Sequence, residues 1–145
     1  MADILFEKYK LDSEFQRLTY PLSIKQYTDY EMLIKKAGCP KEIYTWNNTI
    51  ISEYDLFYLC KKHSAYPKIL HIFATSREEV IDWICRKELQ RPDLPNNMWK
   101  YLIGRLYIAE KILGMHAASQ VRMLTNSSKK NVSREPRYEE RVTIL

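Results

Sequence analysis

The residues best placed to do chemistry lie in one run, Trp46 to His63. Ser52, Glu53, Tyr54 and Asp55 stand where a β-branched, alternating stretch gives way to helical spacing. A turn that feeds a strand into a helix is a ready phosphate site, because the first helical N–H groups point outward without partners. Such a site wants glycine for close backbone approach and a cation for charge. Glu53 and Asp55 supply two carboxylates instead, which repel an anion. Ser52 is expected to be the N-cap, with Asp55 as an acidic first-turn residue. At the other end of the helix Cys60 and His63 stand three apart, the spacing of a thiol–imidazole pair on one helix face. Cys60, however, falls in the apolar stripe with Leu56 and Leu59, so a buried cysteine is expected there.

The remaining candidates are cationic or metal-ligating. Cys39, Cys60 and Cys85 with His63, His71 and His116 form no metal-binding spacing, so no metal and no cofactor is expected. Three widely spaced cysteines suit a reducing cytoplasm better than a disulfide framework. No apolar run approaches the length of a membrane span, and the N-terminus lacks a signal-peptide pattern, so a cytoplasmic protein with no membrane partner is expected. The chain has 23 Lys and Arg against 18 Asp and Glu, a net charge of +5. That balance permits a nucleic-acid partner without requiring one. Lys129, Lys130, Arg134, Arg137 and Arg141 gather in the polar C-terminal stretch, as candidate DNA-phosphate contacts or as a solvated tail. Arg86 and Arg91 are candidate anion contacts or caps on the preceding helix. Clustered carboxylates, a glycine-rich loop and a nucleophile–base pair are all missing, which argues against an enzyme.

The elements that must position these residues follow from periodicity. Residues 1–22 read as an extended or partly helical lead-in. Ser23 caps a helix to about Lys36, and Gly38 ends it at the usual left-handed position. Ile43 to Ile51 is a strand pair about Asn47-Asn48, a dipeptide suited to a tight hairpin. The helix from Ser52 to about His63 follows, then a short strand at Ile69 to Phe73. Ser76 caps a helix to about Glu88, and Asn96 or Asn97 caps a last, apolar helix. Gly104 inside that helix is expected to mark a close packing contact, and Trp83 and Trp99 are expected in the core. The fold class is α+β, a small mixed sheet packed on helices followed by a helical C-terminal half.

From about Phe15 to Lys111 the chain resembles the ParB-like (ParB/sulfiredoxin-like) domains of bacterial partition proteins and their mobile-element relatives. Ala37-Gly38-Cys39, Trp46-Asn47, Ile50-Ile51, Phe57 and Cys60-Lys61-Lys62-His63 stand in the family's order. Trp83-Ile84-Cys85-Arg86-Lys87-Glu88-Leu89-Gln90-Arg91-Pro92-Asp93-Leu94 is similar to the family's Trp-Ile-Cys-Arg-Asn-Gln-Leu-Gly-Arg-Arg-Asn-Leu. The most specific piece is Tyr101-Leu102-Ile103-Gly104-Arg105-Leu106-Tyr107-Ile108-Ala109-Glu110-Lys111. The departures fall on the chemistry. The family's phosphate signature Asp-Gly-His-Asn-Arg is replaced by Ser52, Glu53, Tyr54, Asp55 and Leu56, and Leu56 cannot supply an arginine fork. Arg91 survives as a candidate residual anion contact.

The resemblance implies domains at 1–22 (lead-in), 23–94 (degenerate ParB-like α+β domain), 95–124 (helical region) and 125–145 (basic linker or tail, or the start of a helix-turn-helix continuing beyond Leu145). It implies a non-enzymatic, cytoplasmic bacterial protein of the plasmid, phage or transposon-associated kind. Its expected function is DNA binding in partition or transcription regulation. The alternative is a protein-interaction or oligomerisation module that has lost nucleotide and DNA binding, with a protein partner or a second copy of itself.

Overall fold

In the computed structural model the backbone of residues 2–124 and the side chains of residues 5–115 are described. The chain falls into two compact units, Met1–Phe73 and Ala74–Leu145. The first unit opens with helix α1 (Ala2–Glu7), strand β1 (Lys10–Leu11) and helix α2 (Ser13–Arg17). Asp12 caps α2 by accepting the Glu14 and Phe15 amides. Helix α3 (Ile24–Ala37) begins at a full capping box, Ser23 with Gln26 at the third helical position. It ends as expected at Gly38, whose φ of 92° a residue with a Cβ rarely adopts. Strands β2 (Glu42–Trp46) and β3 (Thr49–Ile50) form a hairpin. Asn47 and Asn48 both take positive φ, as a two-residue turn matched to strand twist requires.

The sheet has strand order β1-β3-β2-β4, with β4 at Lys68–His71. Only the hairpin pair is antiparallel; β1 with β3 and β2 with β4 run parallel, so the sheet is mixed. Helix α4 (Tyr54–Lys62) packs on α1, α3 and β2. Its Leu56, Leu59 and Cys60 are fully buried, and Phe57 meets the edge of the Phe6 ring at a centroid distance of 5.2 Å. Fully burying aliphatic side chains of this size stabilises by about 1.5–3 kcal/mol each, so α4 is the centre of this core.

The second unit is a pair of packed helices, α5 (Arg77–Glu88) and α6 (Asn96–Leu124). Ser76 caps α5 by accepting the Glu79 amide, and Glu79 returns a bond to the Thr75 amide. Three expectations for this unit fail. Trp83 is buried, but Trp99 is 46% exposed. Gly104 lies on the outward face of α6, and a Cβ placed there meets nothing within 4 Å, so the glycine marks no packing contact within the described chain. Apolar residues recur on both faces of α6, so periodicity alone could not say which face packs. The cap of α6 also moves: the Pro95 carbonyl accepts the Trp99 amide, while Asn97 Oδ1 accepts the amide of its neighbour Met98.

Helices α3 and α4 are joined by one carboxylate. Glu31 Oε2 accepts from Lys62 Nζ at 2.9 Å and lies 2.6 Å from His63 Nε2. Hydrogen bonds from Lys62 and then His63 hold the Glu31 carboxyl at about 2, against an ordinary 4.5. The folded chain therefore takes up this proton less readily than the unfolded one. The stabilisation is complete above about pH 4.5 and is lost as pH falls toward about 2. The group is partly solvated, so salt reduces the effect. Glu31→Gln should flatten the decline of the urea midpoint between pH 4.5 and 2. Parallel wild-type and variant curves would remove Glu31 from the acid response.

Candidate functional site

The turn from β3 into α4 is where a phosphate would sit, and its construction differs from the expected cap. Ser52 is not the N-cap. Glu53 holds that position, with φ 62° and ψ 47° in the left-handed region and no side-chain capping bond. Its carbonyl accepts the Phe57 amide at 3.0 Å and so starts the helix. Ser52 is 1% exposed, and its Oγ has no hydrogen-bond partner among the described residues. The reason lies in the neighbours. Ser52 and Tyr54 are both buried, and the left-handed residue between them reverses the chain's twist within one sharp turn. A glutamate thus stands in a backbone conformation that glycine adopts far more readily.

Each side chain of the turn is either buried in the core or held by a partner in its own unit. The Tyr54 hydroxyl donates to the Ile50 carbonyl at 2.6 Å, and burial raises its pKa. Tyr54 is thus a buried residue of the core. Leu56 is fully buried. Asp55 Oδ2 accepts the Leu22 amide at 2.9 Å and ties the start of α3 to the first turn of α4. Glu53 pairs with Lys41 Nζ at 3.2 Å. Burial, which opposes charge on Lys41, is outweighed by Glu53 and Tyr30, and its pKa rises. A phosphate brought to this helix start would meet Glu53 and Asp55. Like charges 4 Å apart repel by about 4 kcal/mol at an effective dielectric of 20.

The surviving arginines are bound to carboxylates. Arg91 Nε and Nη2 contact both oxygens of Asp93 at 3.0 and 2.9 Å, and Nη1 reaches Glu88 at 3.1 Å. Arg86 bonds Asp82 Oδ1 at 2.7 Å and also Glu110. Both forks are therefore filled within their own unit. The thiol–imidazole pair does not form either. His63 is held by Glu31, and Cys60 is fully buried, its pKa raised by a hydrogen bond with Cys39 and by burial. Cys39 and Cys85 are buried and free as well, and no metal-holding cluster of His, Cys, Asp and Glu occurs among the described residues. Lys129, Lys130, Arg134, Arg137 and Arg141 lie outside the described residues. Sequence reasoning missed Glu31 and Lys41. Each is one charged residue among many, and its role depends on a partner in another element.

The left-handed backbone at Glu53 has a measurable consequence. Glu53→Gly removes a conformational cost of about 1–2 kcal/mol and loses one ion pair, so it should be close to neutral or stabilising. Glu53→Val forces a β-branched residue into the same region and should cost about 1–3 kcal/mol. Urea unfolding would show this as two midpoints on opposite sides of, or at very different distances from, the wild type. Equal midpoints would mean the turn is not held left-handed.

No family model matches the chain, and no curated protein matches it. Among solved structures the chain is similar to a Pnob8-like ParB-N domain, determined in a C2221 form. The identity is 21% and the TM-score 0.59, and the match covers 96% of this chain and 58% of that one. The chain thus spans little more than half the length of the structure it matches. No helix among the described residues is long and apolar enough to cross a membrane. A mixed four-stranded sheet, helices around it and a helical C-terminal part give the chain an α+β, ParB-like fold.

Proposed function

We propose that the chain is a non-enzymatic ParB-like domain of a DNA-binding partition or transcription-regulatory protein, cytoplasmic and of bacterial mobile-element type. The observation that carries the reading is the ParB-like fold combined with a β3–α4 turn closed by its own side chains. Ser52, Tyr54 and Leu56 are buried, Asp55 is bonded to Leu22, and Glu53 is bonded to Lys41. On this reading the domain's work is binding, without nucleotide and without metal. On the same reading DNA contact falls to Lys129, Lys130, Arg134, Arg137 and Arg141, whose charges suit phosphates without selecting bases. Arg91, held by Glu88 and Asp93, adds to the fold of its own unit and not to an anion site. A second reading, a protein-interaction or oligomerisation module, is supported by the exposed apolar side chains of α6.

Two measurements test the first reading. Calorimetric titration with the common nucleoside triphosphates and Mg²⁺ should be silent. Micromolar binding abolished by Arg91→Ala would overturn the nucleotide-free account. A gel-shift salt series should show weak, sequence-independent DNA binding with a log–log slope no steeper than about −4.5, about 0.9 for each of five contacts. Replacing the five basic residues with glutamine should remove the binding. If the substituted chain binds as well as the wild type, the tail does not carry the contact.

A further inference from the structure

Helix α6 carries two apolar stripes, and only one is used. Leu102, Ala109 and Leu113 recur at helical spacing, are buried, and lie on the helix that packs with α5. Turned away from them are Tyr101, Ile108 and Met115, spaced by seven and 43%, 46% and 61% exposed. A seven-residue repeat of large apolar side chains is the seam of a helix–helix contact. Tyr107, 66% exposed, lies beside that seam. Gly104 lies within it, with open space where its Cβ would be, so a partner backbone can come close there. From residue 101 to 115 the seam runs for about 21 Å at 1.5 Å per residue, four helical turns.

The charges on this face have one sign. Lys100 and Lys111 are exposed along its border, and neither makes an ion pair among the described residues. The helix's one acidic residue in this stretch, Glu110, is bonded to Arg86. A second copy of α6 would bring two further lysines and no exposed carboxylate to meet them. A DNA surface would be more polar and far more basic than two lysines among large apolar groups. Aromatic and methionine side chains with a cationic border, and no acid, are the composition of a protein interface.

We propose that the outward face of α6 docks an acidic amphipathic helix of a partner protein. The partner's aliphatic residues cover Tyr101, Ile108 and Met115, its close approach is at Gly104, and its flanking Asp or Glu meet Lys100 and Lys111. The proposal stands on α6 alone and is independent of the DNA reading, whose contacts lie in the tail.

The test uses the full chain and a synthetic 20-residue helix of defined chemistry, with leucine and isoleucine at the first and fourth heptad positions and glutamate beside them. A control peptide has lysine for each glutamate. Titration by fluorescence anisotropy should show saturable binding of the acidic peptide, and binding of the control at least about tenfold weaker. Lys100→Glu with Lys111→Glu should reverse that preference. Ile108→Asp should weaken binding by more than about tenfold while leaving the circular dichroism unchanged, since the side chain faces solvent. No binding of the acidic peptide, or binding indifferent to all three substitutions, overturns the proposal. So does a dimer by light scattering that Ile108→Asp dissolves, which assigns the face to a second copy. Duplex DNA retention lost on the double lysine reversal, with no peptide bound, assigns it to nucleic acid and overturns it equally. Loss of DNA binding on substituting the tail alone bears only on the earlier reading.

Discussion

The first unit depends on one constraint: a strand at the centre of a small sheet must become a buried helix within three residues. β3 ends at Ile50 and α4 begins at Tyr54, and Ile50, Ile51, Ser52 and Tyr54 are all buried. The residue between Ser52 and Tyr54 must turn the chain sharply while both neighbours stay buried. The left-handed residue at Glu53 solves this at a cost of about 1–2 kcal/mol. The gain from seating Tyr54, Leu56, Phe57 and Leu59 together is several times larger. The strain is local and is sustained by the core that it makes possible.

Once that turn is fixed, the polar groups around it have little freedom. Asp55 must find a donor as the helix begins, and the chain entering α3 supplies the Leu22 amide. Glu53 pairs with Lys41, which lies just before β2. Farther along α4, Lys62 and His63 converge on Glu31 of α3. The polar contacts described for α4 are thus with earlier parts of the same unit. The same economy governs the second unit, where Arg86 and Arg91 are each held by two carboxylates. A cation already matched in this way has little to offer an incoming phosphate, because binding must first break a made pair.

The sequence shows this architecture more clearly than its site. Ser23 and Ser76 are legible as caps because the rule involves only neighbours, and both cap their helices. Asn47-Asn48 is legible for the same reason. The buried stripe of α4, including Cys60, follows from period alone. What the sequence conceals is set by long-range geometry. Ser52 has the right chemistry for an N-cap, and the local rule selects it. The demand to bury it comes from the sheet, which no window of neighbouring residues contains. Trp99 is misjudged for a related reason. On a helix apolar on two sides, composition cannot tell the side that packs from the side that does not.

The turn also separates two kinds of information that a motif normally carries together. A glycine in a phosphate-binding signature permits both a left-handed backbone and the close approach of a ligand. Here the first property is present in Glu53 without the second, because the φ of 62° remains while the side chain and its charge occupy the approach. Backbone conformation at that point is required by packing, and packing is unaffected by what binds. Side-chain chemistry is required only by a ligand, and Ser52, Tyr54, Asp55 and Leu56 each answer to an internal partner or to the core. The left-handed backbone at Glu53 is therefore evidence of how this turn packs and poor evidence for what the turn holds. The same separation applies to α6, where the spacing that makes a helix is common to both faces and only the exposed one is open to a partner.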